Sequence, residues 1–112
     1  MSSHSDWRRL LLKRFRGWAQ KKFPVPFPLR CYLKHPSKMP DMLGYFEFNE
    51  DENRGVICIA NTCGADSFLD TLCEEWAHAR TAYLCTDDED PHTASFWAEY
   101  GRIVSASRDV HW

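Results

Sequence analysis

Residues 71–81 read TLCEEWAHART. The pentad Glu74-Glu75-Trp76-Ala77-His78 stands one substitution from the helical zinc pattern H-E-x-x-H. Whether this stretch is helical decides the fold. Extended to residues 66–83, it carries Phe68, Leu69, Leu72, Trp76, Ala79 and Tyr83 at helical spacing, the apolar stripe of a helix packed on a core. Asp66 or Ser67 suits its N-cap. At about 100° per residue, Glu74 and His78 project opposite Leu72 and lie one turn apart on a polar face. Glu75 falls between the polar and apolar faces. Cys73 points nearer the apolar stripe, so it reads as a buried thiol.

Upstream, residues 6–22 (DWRRLLLKRFRGWAQKK) set Trp7, Leu10, Leu11, Phe15 and Trp18 on one stripe, which predicts an amphipathic N-terminal helix. The prolines of FPVPFP (23–28) forbid helix and make an extended connector. LRCYLK (29–34) and LGYFEFN (43–49) alternate as half-buried strands. EDENRG (50–55) is a turn cluster, and GVICIA (55–60) is the continuous apolar run of a strand buried on both faces. A sheet of three strands, mainly antiparallel, is expected. Past an acidic loop at 87–90, Asp90-Pro91 reads as a cap followed by proline at the first helical position. The closing helix over 91–106 would bury Phe96, Trp97, Tyr100, Ile103 and Val104. His92 would then lie in its first turn, where the helix dipole disfavours imidazolium. The fold class is therefore α+β.

A length of 112 residues suits one domain spanning 1–112 and leaves no room for a second. Apolar residues at 44% supply enough material for one core. The formal net charge of −2 argues against wholesale nucleic-acid affinity. The charge is uneven, however. Seven of the fourteen Lys and Arg (Arg8, Arg9, Lys13, Arg14, Arg16, Lys21, Lys22) fall within residues 8–22. That face either tracks phosphates or is simply solvated. Five cysteines (Cys31, Cys58, Cys63, Cys73 and Cys85) show no C-x-x-C spacing and are odd in number. Reduced thiols and a cytoplasmic location are expected. No apolar run reaches a membrane span, and Leu10-Leu11-Leu12 is too short for a signal-peptide core. The Asp87 to Asp90 run lacks the glycine and ligand spacing of a calcium loop.

The order of basic helix, three short strands, L-C-E-E-W-A-H-A helix, acidic loop and H-x-x-x-F-W-x-x-Y-G-R at His92 to Arg102 resembles the SprT-like (Spartan-type) zincin metallopeptidases and their small phage-encoded relatives. The likeness covers about residues 7–106 and is strongest in the last two helices. It implies a zinc-binding, intracellular hydrolase acting on a protein or peptide substrate, with DNA-associated proteins as the substrate class. By position, it implies His78 and His92 as zinc ligands and Glu75 as the general base.

The first ligand position of that pattern holds Glu74. Zinc accepts carboxylate oxygen, so Glu74, His78 and His92 remain a plausible metal set. The extra negative charge lowers the metal's Lewis acidity, and weakened or lost activity is expected. The alternative is a non-catalytic zincin scaffold that binds a host protein or nucleic acid. Read alone, Glu74, Glu75 and His78 equally suit a solvated helix face, and His92 a helix-start histidine. Only their pairing separates the two. His4, His35 and His111 lie outside recognisable spacing, with His35 or His111 able to replace the missing ligand.

Overall fold

The structure, a computed structural model, describes residues 6–39, 42–84 and 90–112. Helix α1 (Asp6–Lys22) is followed by strand β1 (Leu29–Lys34), a 3-10 turn (Pro36–Lys38), the hairpin of β2 (Gly44–Asn49) and β3 (Arg54–Ala60), helix α2 (Ala65–Thr81), a second 3-10 turn (Ala82–Leu84) and helix α3 (Ala94–Ser107). The class is α+β, as the periodicities require.

The sheet order is β1-β3-β2. β3 runs parallel to β1 and antiparallel to β2, so the sheet is mixed rather than mainly antiparallel. The continuous apolar run of β3 can be buried only with a neighbour on each side, which sends both alternating strands to the edges. Ile57, Cys58 and Ile59 are fully buried there. The hairpin turn needs one left-handed residue, and Asn53 takes it at φ 50°.

Pairing places Leu29, Cys31, Leu33, Gly44, Phe46 and Phe48 on the same face as Gly55, Ile57 and Ile59. That face meets the helices. The core joins Ile57 and Ile59 to Phe15 and Ala19 of α1, Phe68, Leu72 and Trp76 of α2, and Phe96 and Ile103 of α3. On α1 the stripe is rotated slightly from expectation: Leu12 and Ala19 are buried, whereas Leu10 is exposed. Trp76 sits edge-on to Phe15 at 5.9 Å and donates its indole N–H to the Phe23 carbonyl at 2.8 Å, which fixes the proline connector against α2.

β2 approaches α2 closely at Gly44. A Cβ on Gly44 would stand 2.7 Å from Thr71 Cγ2 and 2.9 Å from Ile59 Cδ1, so only glycine lets strand and helix approach this far. At the other end of α2, Arg80 pairs with Glu99 of α3, which also meets Arg102 at 3.1 Å. Together with the bond from the Tyr100 hydroxyl to Asp70, this pair fixes α3 along α2.

Several expected boundaries move. Helix α2 begins after Gly64, with no side-chain cap from Asp66 or Ser67. Tyr83 leaves the helical stripe for the 3-10 turn and is 79% exposed. Helix α3 starts at Ala94, because Thr93 accepts from the Phe96 N–H at 3.2 Å and so takes the cap expected of Asp90. Pro91 and His92 therefore precede the helix. Trp97, expected in the core, is 52% exposed. Cys31, Cys58, Cys63 and Cys73 are free thiols. Residues 87–89 of the acidic run, Cys85 and His4 lie outside the described residues. No helix among the described residues is long and apolar enough to cross a membrane.

Candidate metal centre

Between β2 and α2 opens a cleft of about 940 Å³, with Gly44, Phe46 and Phe48 on one wall and Glu74, Glu75 and His78 on the other. His92 reaches it from the segment preceding α3. The helical repeat puts Glu74 and His78 one turn apart on the cleft side of α2. The Arg80–Glu99 pair and the packing of Phe96 bring His92 across to them.

Glu74, His78 and His92 each offer one ligand atom, and the three atoms lie within 4.8 Å of one another. These three residues can hold a metal ion. About 2.1 Å from each donor places tetrahedral ligands about 3.4 Å apart, so small side-chain rotations complete the grip. One carboxylate and two imidazoles are a donor set that a divalent ion accepts. The donors present therefore fit a divalent cation.

The ring of His78 stacks on Phe96, with centroids 4.1 Å apart and planes 20° apart. His92 meets it edge-on at 4.9 Å. Burial, then the neighbouring His92, lowers the His78 pKa from 6.5 to about 4, so the ring stays neutral at physiological pH. A neutral imidazole is the form a metal requires. His92 is more exposed. The Trp97 ring lies 5.8 Å from its ring, with the planes 29° apart. Asp90 Oδ1 sits 3.0 Å from His92 Nδ1 and also accepts the His92 backbone N–H at 2.9 Å. Those two bonds, the backbone one first, hold the Asp90 carboxyl below its usual range.

Glu75 is only 4% exposed, not poised between faces. Its carboxyl forms no hydrogen bond or ion pair among the described residues, and burial followed by the charge of Glu74 raises its pKa from 4.5 to about 7. A signal for this was present in the spacing: Glu75 is three residues from Leu72 and four from Ala79, both buried.

The remaining candidates separate. His35 is spent on the 3-10 turn, where its Nδ1 accepts from Ser37 N–H at 3.2 Å. Neither His35 nor His111 belongs to the cluster. Cys73 is buried and its thiol is pushed up to about 12, which removes it as a ligand or nucleophile. Of the basic set, Arg8 donates to the Cys63 carbonyl at 2.7 Å and lies over Trp7, and Arg14 donates to the Trp112 carbonyl. Arg9, Lys13, Arg16, Lys21 and Lys22 are exposed on α1.

No protein-family model, curated protein or solved structure matches this chain.

Proposed function

We propose that this protein is a zinc-dependent, SprT-like metallopeptidase of reduced activity, in which Glu74, His78 and His92 hold the ion and Glu75 is the general base. The observation that carries this reading is the convergence of the three ligand atoms within 4.8 Å, in a cleft that Glu75 also lines. A zinc ion bound there supplies a Lewis acid that polarises a peptide carbonyl and makes water easier to ionise.

In the metal-free site burial raises the Glu75 pKa to about 7; as general base Glu75 would take a proton from water and return it to the leaving amine. Glu74 adds a negative charge where an imidazole would be neutral, and this lowers the attainable rate. The substrate lies extended along β2. Ala60 N–H donates to the Leu43 carbonyl, so the alternate residues Gly44, Phe46 and Phe48 turn their backbone groups to the free strand edge. A peptide strand pairs with such an edge through main-chain hydrogen bonds, which serves many sequences. The exposed Lys and Arg of α1 favour protein substrates associated with DNA, and the free thiols suit a cytoplasmic setting.

Hydrolysis of an unstructured protein substrate by the zinc-loaded chain tests this. Glu75→Gln should abolish turnover while zinc stays bound; equal turnover in the variant would refute the assigned base.

Glu74 in the first ligand position favours a second reading, a non-catalytic scaffold that binds a host protein or nucleic acid. Under it, zinc-loaded protein shows no turnover. DNA binding through α1 would then weaken steeply with salt as Lys and Arg contacts release counterions.

A further inference from the structure

The two histidines of the cluster are aimed by different means. His78 is clamped face-on against Phe96 at 4.1 Å. His92 sits ahead of α3, with its side chain 42% exposed, and its firmest polar tie is to Asp90: Oδ1 lies 3.0 Å from Nδ1. An ionised carboxylate only accepts hydrogen bonds, so this contact requires the proton on Nδ1. In the neutral ring the lone pair of His92 is then on Nε2, the one ring atom left to bind a cation.

We infer that Asp90 is a positioning residue, one that holds His92 as the Nδ1–H tautomer and aims Nε2 at Glu74 and His78. This rests on the metal-site reading above. The same Asp90 oxygen also accepts the His92 backbone N–H at 2.9 Å, so carboxylate, backbone and ring are locked as one unit. The Trp97 ring, 5.8 Å away and 29° from parallel, limits ring rotation on the other side. Carboxylate partners of metal-binding histidines act this way generally: they fix tautomer and orientation and make the ligand more basic, and their loss weakens metal binding about 10–100-fold. Asp90 lies two residues before the ligand it serves, so a local turn alone forms the pair. This also explains why Asp90 does not cap α3, although Asp-Pro suits a cap.

The test uses the full chain. Long-range 15N–1H correlation spectra of the metal-free protein at pH 8 report the tautomer of each histidine, with resonances assigned by His78→Ala and His92→Ala. His92 should be Nδ1–H in the parent. It should shift toward Nε2–H in Asp90→Ala while His78 stays unchanged, a readout that loss of a purely structural turn would not produce selectively. Asp90→Asn, which still accepts a hydrogen bond, should retain most of the Nδ1–H form. Zinc titration against a competing chelator should show Asp90→Ala binding about 10–100-fold more weakly than the parent, with Asp90→Asn between. A parent His92 already in the Nε2–H form, or an unchanged tautomer in Asp90→Ala, would overturn the inference. Zinc uptake absent from the parent would instead overturn the metal reading, while the tautomer spectra still decide whether Asp90 positions the ring.

Discussion

His92 meets His78 edge-on with ring centroids 4.9 Å apart, although one lies in α2 and the other ahead of α3. The segment just ahead of α3 thereby meets the polar face of α2. Removal of either ring leaves at most two protein donors. His78→Ala and His92→Ala should each weaken zinc binding by more than about 100-fold, beyond the range seen for indirect partners. Competition against a chromophoric chelator measures this, with far-ultraviolet circular dichroism to establish that each variant is folded.

Placing an imidazole at position 74 removes one negative charge from the site. Glu74→His should bind zinc more tightly than the parent and raise peptide hydrolysis by about tenfold or more, since the ion would then be a stronger Lewis acid. Initial rates on a fluorogenic peptide mixture measure the gain. Unchanged zinc affinity and unchanged rate would mean that position 74 does not face the ion.

The two shifted groups of the metal-free site act on stability in opposite directions. Glu75 titrates at about 7 in the folded protein against 4.5 unfolded. Across that window the folded state holds the extra proton, so this group makes stability fall as pH rises. His78 titrates at about 4 against 6.5. There the unfolded state holds the extra proton, so stability rises with pH. Between pH 4.5 and 6.5 the two slopes offset each other; above 6.5 only Glu75 still acts. Glu75→Gln removes the Glu75 slope. Its stability relative to the parent should increase from pH 4.5 to 7 and level off above, by up to about 3 kcal/mol and less where solvent screens the carboxylate. Urea unfolding at half-unit pH steps with chelator present gives the curve.

Glu99 is buried between Arg80 and Arg102 and joins α3 to α2. Glu99→Ala leaves the Arg80 guanidinium facing an empty place and should cost about 3 kcal/mol. Because the same pair sets the position of α3, zinc affinity should fall in the folded variant as well. Denaturant titration and chelator competition report the two effects separately.

Gly44→Ala drives a methyl group against Thr71 and Ile59 and should destabilise by about 1–3 kcal/mol. Thr71→Ser removes the nearer clashing methyl while keeping the hydroxyl bond to the Ser67 carbonyl. The double variant should therefore recover part of the loss, as measured by thermal melting.

Much of this architecture is legible in the residues themselves. Leu72, Trp76 and Ala79 mark the buried side of α2, and the unbroken apolar run of β3 marks a central strand. Periodicity assigns faces, however, not neighbours, so it could not show that β1 runs parallel to β3. At the start of α3 both Asp90 and Thr93 are good caps, and local pattern does not say that the Asp90 carboxylate is engaged by His92. Trp97 follows Phe96 in an apolar stretch, yet the buried stripe of α3 runs through Phe96, Glu99, Ile103 and Ser107 and leaves Trp97 outside it. The pairing of Glu74 with His78 follows from helix geometry. Their convergence with His92 depends on tertiary contacts such as Arg80–Glu99, which no spacing rule contains.

We propose that Glu74, His78 and His92 bind a divalent ion. Elemental analysis of untagged protein, purified without added metal and again after zinc loading and desalting, tests it most directly. The expected result is near-stoichiometric zinc in the loaded parent and its loss from both His78→Ala and His92→Ala. A loaded parent that retains no metal, or variants that retain as much as the parent, would contradict the claim.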